Sequence, residues 1–222
     1  MSGQGRTEAG RGTARLELEA MAIALPEVEG HPNRVPFCGV LTLVDAASDK
    51  APSGSRGHRV LLTGKAVEAA IPSLLGMAVD YTPALDGHDA RAKIGVITLA
   101  ELEALSPYYA GARLHPSEPK PGSPGTPRLA AGVLRLRSRA QQLRIAGYLY
   151  GKDFPEVIGE LRAKGKSELG MSYEIADVHV ADVEAAVWAV TKLTFTGAAV
   201  LKKSKAAYQR TWIEIRDQEA RQ

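Results

Sequence analysis

The chain has 222 residues, and its 28 Lys and Arg against 25 Asp and Glu leave a formal charge of only +3. So small and evenly spread an excess argues against nucleic acid as the main partner. Hydrophobic residues make up 45% of the chain, enough for a real core. The longest apolar runs, such as Met21–Leu25 and Gly197–Leu201, fall far short of the roughly 20 residues a membrane span needs. A single cysteine, Cys38, allows no internal disulfide and no cysteine-rich metal site. The Gly-, Arg- and Thr-rich start has no apolar stretch of the secretory kind, so a soluble protein of a reducing compartment is expected.

Residues 1–34 are expected to form a flexible segment, within which Leu16–Leu25 fits helix and strand spacing alike. Phe37–Val44 reads as a strand that stops at Asp45, and a polar loop with Pro52, Gly54 and Gly57 follows. His58–Thr63 is a second strand. Thr63 then caps a helix over Lys65–Leu75 with an apolar stripe of Val67, Ala70, Ile71, Leu74 and Leu75. Pro72 inside that stripe predicts a kink or two short helices. A turn-rich stretch over Asp80–Asp89 leads to a strand at Lys93–Thr98 and a short helix at Leu99–Leu105.

Six of the 13 prolines fall between Pro107 and Pro127, which predicts an exposed, semi-rigid insertion near 106–132. Arg135, Arg137, Arg139 and Arg144 alternate with leucines and read as a solvated face. Leu143–Tyr150 alternates like a strand. Asp153 is placed to cap a helix running to Lys164, which Gly165 ends. Leu169–Val180 and Val187–Leu201 read as two long strands joined by a turn at Asp182–Ala186, and Lys202–Gln222 as an amphipathic helix. The expected fold is a β-dominated α+β domain over residues 35–208. It would be one antiparallel, barrel-like sheet flanked by helices, with the Pro-rich insertion and a helical tail over 209–222.

The chain carries no Gly-rich phosphate loop, no His-Glu-x-x-His and no Gly-x-Ser-x-Gly elbow. Its five histidines, at 31, 58, 88, 115 and 179, show no ligand spacing, and neither cofactor nor metal is expected. Two positions stand apart. His88 lies in a polar segment just before a strand, where a scaffold can present a general base. Ser172 starts a long strand two residues after Gly170, a small residue expected to leave open space on that face. A serine hydroxyl is a poor nucleophile until an imidazole takes its proton, so the two must meet in space.

The order of these elements resembles the prohead (capsid maturation) serine proteases of tailed bacteriophages, relatives of the herpesvirus assemblins. The matching segments are Gly87-His88 with Ile94–Ile97, Gly147-Tyr148-Leu149 with the following helix, Leu169-Gly170-Met171-Ser172, and Leu193-Thr194-Phe195-Thr196-Gly197-Ala198-Ala199. They span residues 37–105 and 143–208. The resemblance implies Ser172 as nucleophile and His88 as its base. The family's third member is a histidine or carboxylate on the return strand, where this chain offers Thr194 and Thr196. Strand alternation puts Glu174, Ala176, Val178 and Val180 on the face of Ser172 and turns Asp177 and His179 away, unless a bulge intervenes. With the hairpin centred on Glu184, Ser172 would lie opposite Thr196 and Glu174 opposite Thr194. Glu174, Thr194 and Thr196 are therefore the expected orienting groups, with Asp86 and Asp89 as others near His88. Backbone N–H groups around Gly170 or Gly197, or Arg91, are candidate oxyanion donors.

The function so implied is a serine endopeptidase that cleaves scaffold and capsid precursors in the host cytoplasm, inside the assembling prohead. Its partners would be those proteins and further copies of itself, with no nucleic acid or membrane involved. The alternative is a catalytically silent scaffold or capsid-assembly protein with the same fold, which the missing third residue favours. A β-domain that binds a partner through residues 107–127 is a further reading.

Overall fold

The computed structural model describes residues 20–26, 28–105 and 140–216. The expected Pro-rich insertion, the arginines at 135, 137 and 139, and most of the N-terminal segment lie outside these residues. Among the described residues nine strands join in one sheet: β1 (Ala20–Ala22), β2 (Val35–Val44), β3 (Arg59–Leu62), β4 (Ala78–Tyr81), β5 (Lys93–Ala104), β6 (Gln141–Leu149), β7 (Leu169–Val180), β8 (Val187–Lys202) and β9 (Trp212–Ile215). Two helices accompany them, α1 (Gly64–Ala70) and α2 (Pro155–Glu168). The fold is β-dominated α+β, with its sheet curled into a half-barrel. No helix among the described residues is long and apolar enough to cross a membrane.

The strands run in the order β3-β8-β4-β5-β6-β2-β9, with β1 beside β5 and β7 beside β8. The sheet is mixed rather than purely antiparallel, because β8 pairs in parallel with β3 through its first residues and with β4 through its last. At 16 residues β8 is long enough to serve both partners on one edge while the β7 hairpin covers the other. β2 is buried on both faces from Phe37 to Val44. Phe37, Leu41 and Val44 join the main core, and Val40 and Leu43 pack with Tyr208 on the other side. Burying each such side chain stabilises the fold by about 1.5–3 kcal/mol.

Pro72 divides the expected helix as anticipated: α1 is capped by the Thr63 side chain, and a tighter turn over Ile71–Leu74 follows. Three expectations are overturned. Leu99–Leu105 is not a helix, since β5 continues to Ala104 along β6 and past β1. Its Leu, Ala and Glu residues favour helix locally, but a ladder on both sides outweighs that weak preference. A bulge between Ile97 and Leu99 also resets the alternation, which hid the strand. Lys202–Gln222 does not begin as a helix either. Turns over Lys203–Arg210 lead to β9, which pairs with β2 and covers it with Ile213; residues 217–222 lie outside the described residues. Finally, Asp153 does not cap α2; its carboxylate accepts a hydrogen bond from Asn33 Nδ2 at 2.7 Å. Gly165, at φ +58°, breaks α2 near its end.

Candidate functional site

The strand β4 was hidden in what reads as a turn-rich stretch, and it carries the most deeply buried charge of the region. Asp80 is fully buried at the point where β4 lies between β5 and β8. Its Oδ2 accepts from Lys93 Nζ at 2.8 Å across the β4–β5 ladder, and its Oδ1 from the Asp89 backbone N–H at 3.2 Å. Burial pushes the Asp80 carboxyl up, but the close approach of His88, the hydrogen bond from Lys93 and the Asp89 N–H outweigh it and hold the group below the usual carboxylate range.

The segment after β4 folds back over this carboxylate. The Asp86 N–H donates to Thr82 Oγ1, Thr82 Oγ1 donates to the Asp86 carboxylate, and Leu85 is buried at φ +51°. The Leu85 carbonyl accepts from the Lys202 N–H, which pins the loop to the end of β8. His88 is thereby set with Nδ1 3.5 Å from Asp80 Oδ1 and 3.7 Å from Glu174 Oε1. Both ring nitrogens are shielded from solvent and have no hydrogen-bond partner. An imidazole so placed is held by its neighbours yet keeps both nitrogens available.

Ser172 and His88 lie on the wall of one cavity of about 1200 Å³, together with Glu174 and Thr196. They are not hydrogen-bonded: His88 Nε2 makes no hydrogen bond, to Ser172 or to any other group. Of the expected orienting residues, Glu174 approaches the imidazole. Thr196 reaches the cavity without bonding to His88, and Thr194 is not on the cavity wall, its hydroxyl lying 3.4 Å from Asp177 Oδ2. Asp86 is tied to Thr82, and Asp89 accepts from the Arg91 N–H, so neither orients the ring through its side chain.

The hairpin register differs from the expected one for a physical reason. Ser172 lies opposite Ala199 and Glu174 opposite Gly197, while Thr194 faces Ala176. The turn is centred one residue later than expected, with Val180 opposite Val190, which moves the pairing by two. Irregularities after Glu174 and on either side of His179, with Asp177 at φ +52°, leave it one further at Ser172, and Thr196 becomes the extra residue of a bulge. His179 is exposed and off the cavity wall, whereas Val178 and Val180 are on it.

Small residues open the site, but not where expected. The space beside Gly170 is filled: a Cβ there would lie 3.0 Å from Thr211 Oγ1 and 3.2 Å from Ala206 Cβ. The room lies on β8, where Gly197 lets the Glu174 carboxylate cross; a Cβ on Gly197 would sit 2.8 Å from Glu174 Oε2. Neither Gly170 nor Gly197 is on the cavity wall, and Arg91 is almost fully exposed beside Asp89.

Beyond His88 the cavity wall becomes apolar, with Val60, Ile175, Val178, Val180 and Val190. Trp188 stacks on His58 at 4.5 Å between ring centroids and donates its Nε1–H to the Val183 carbonyl at 2.9 Å. The stacking, with His58 Nδ1 3.0 Å from the Ala185 carbonyl oxygen, binds the hairpin tip to the 52–58 loop. Sequence reasoning missed Asp80, Lys93 and this wall. The signal for Asp80 was the apolar run Met77-Ala78-Val79 immediately before it, which marks a buried strand carrying a charge.

Three ligand-type atoms, one each from Asp80, His88 and Glu174, lie within 4.8 Å of one another. No family model, no curated protein and no solved structure matches the chain.

Proposed function

We propose that the protein is a serine endopeptidase of the prohead-protease type, with Ser172 as nucleophile, His88 as general base and Asp80 as the residue that positions His88. The observation that carries this reading is the pairing of an imidazole and a hydroxyl on one cavity wall with a buried carboxylate behind the imidazole. In this mechanism Asp80 accepts the Nδ1–H of His88, which leaves the lone pair of Nε2 for the Ser172 proton. The serine oxygen attacks the scissile carbonyl, His88 returns the proton to the leaving amine, and water then releases the acyl group by the reverse sequence. The imidazole and hydroxyl must close to hydrogen-bond range when substrate fills the cavity, a tightening common to catalytic groups that stand apart in the free enzyme.

The cavity is larger than most small-molecule sites, which run to about 1,000 Å³, and suits a stretch of polypeptide. Its apolar wall favours substrates with bulky aliphatic side chains beside the scissile bond. The substrates in this reading are scaffold and capsid precursors inside the assembling prohead, where copies of the enzyme are packed with them. Val178 is exposed on this wall, so Val178→Asp leaves the core intact. It is expected to raise KM for peptides with aliphatic side chains roughly tenfold with little change in kcat. An unchanged KM would remove the wall from the substrate site.

The unmade bond between His88 and Ser172 favours a second reading, a catalytically silent assembly protein of the same fold. Fluorophosphonate labelling separates the two. Wild type is expected to label covalently, with the mass added at Ser172, and Ser172→Ala and His88→Ala are expected not to label. A wild-type chain that stays unlabelled leaves the assembly reading.

A further inference from the structure

Two carboxylates converge on one nitrogen of His88, which can carry one proton and satisfy one of them at most. Neither contact is a hydrogen bond. The separations instead come close to those between ligands of a common metal ion, with all three ligand atoms within 4.8 Å of one another. Zinc–ligand distances of about 2.0–2.2 Å set ligand–ligand edges of about 3.3–3.6 Å in a tetrahedron. Here Nδ1 lies 3.5 Å from Asp80 Oδ1 and 3.7 Å from Glu174 Oε1.

We propose that Asp80 Oδ1, His88 Nδ1 and Glu174 Oε1 form a binding site for a divalent transition-metal ion of the Zn²⁺ type, whose occupancy switches His88 off as a base. One nitrogen and two carboxylate oxygens are a donor set such an ion accepts, with water filling its fourth position. Lys93 occupies Asp80 Oδ2 and the Asp89 N–H touches Oδ1, so Asp80 offers one oxygen and is held in place for it. Glu174 is half-exposed and gives the ion an entry path from the cavity. Gly197 leaves the room that lets its carboxylate lie toward the ring.

The switch follows from the single proton of a neutral imidazole. As a general base, His88 carries that proton on Nδ1, facing Asp80, and keeps a lone pair on Nε2. A metal on Nδ1 binds through the lone pair of that nitrogen, so the proton moves to Nε2, whose own lone pair is then used up and which becomes a donor toward Ser172. Metal binding and proton abstraction therefore exclude each other at this residue. The switching half rests on the hydrolase reading; the binding half does not.

The full chain carrying Ser172→Ala is titrated with Zn²⁺ by calorimetry and with Co²⁺ by visible absorption. One ion per chain is expected, with the intense d–d bands of four-coordinate cobalt and a loss of affinity of more than about tenfold in both His88→Gln and Glu174→Gln. Glu174 is open enough for glutamine to be accommodated, and circular dichroism checks the fold of each variant. Absence of saturable binding overturns the site, and so does binding that persists in both variants, which would put the ion on other histidines. In wild type, Zn²⁺ is expected to suppress fluorophosphonate labelling, a chelator to restore it, and Glu174→Gln to need more Zn²⁺ for the same suppression. Binding without suppression overturns the switch. A wild type that never labels counts against the hydrolase reading alone, because the calorimetry in Ser172→Ala still decides the site.

Discussion

Asp80→Asn is expected to slow fluorophosphonate labelling at Ser172 by a factor on the order of 10³–10⁴, and kcat for peptide cleavage by a similar factor with KM little changed. Asparagine keeps the shape of the side chain but has one oxygen: with that oxygen on Lys93, its amide N–H₂ takes the Oδ1 place and gives up the Asp89 N–H. The N–H₂ then faces Nδ1, which accepts and puts the ring proton on Nε2, the tautomer that cannot receive a proton from Ser172. The fold is expected to lose about 1–3 kcal/mol, because a charge-assisted contact with Lys93 is weakened in a buried place. Lys93→Met is the comparison that separates the two roles. It removes the other half of the same ion pair and is expected to lower stability at least as much, yet to keep labelling within about tenfold of wild type, since the carboxylate behind His88 remains. If Asp80→Asn labels as fast as Lys93→Met, Asp80 holds the strands together and does not position the imidazole.

Gly147→Ala is expected to destabilise the fold by about 3 kcal/mol, a large fraction of the 5–15 kcal/mol that holds a typical domain. Gly147 lies on β6 between Phe37 of β2 and Ile97 of β5. A Cβ there would fall 2.0 Å from the Val96 carbonyl oxygen and 3.0 Å from Phe37 Cε1. The first of these atoms is backbone in a ladder and the second a side chain buried in the core, so neither can yield without breaking other contacts. Gly159 supplies the opposite case: it sits inside α2 with nothing within 4 Å of an added Cβ. Gly159→Ala is expected to stabilise by about 0.5–1 kcal/mol through helix preference and a less flexible unfolded chain. Urea unfolding of both variants checks the pair. A Gly147→Ala chain as stable as wild type would contradict the close approach of β5 and β6 at this point.

Much of the candidate site was legible because its parts lie in short local patterns. Ser172 on a strand start and His88 in a polar loop are visible from alternation and turn residues alone. Of the orienting residues expected on the hairpin, Glu174 approaches His88, whereas Thr194 and Thr196 do not bond to it. Thr196 was placed opposite Ser172 and Thr194 opposite Glu174 by counting along a regular hairpin centred on Glu184; the turn is centred one residue later and a bulge at Thr196 adds one more, so Ala199 and Gly197 take those places. A bulge is set by how two strands twist together, and nothing in a count of residues marks it. Asp80 was passed over because Asp, Tyr, Thr and Pro in succession read as turn. Its burial depends on β8 running parallel beside β4, a pairing between residues distant in sequence.

The sequence by itself determined the β-dominated class, the core strands β2, β6, β7 and β8, the division of the first helix at Pro72 and the candidacy of His88 and Ser172. Each of these follows from side-chain period, proline geometry or intrinsic chemistry within a few neighbouring residues. Only the tertiary structure decided that Leu99–Ala104 is strand, that the chain end returns as β9 and that Asp80 and Glu174 converge on His88. Those outcomes arise from pairing across the sheet, where ladder hydrogen bonds and burial between distant segments outweigh local preferences of a few tenths of a kcal/mol per residue.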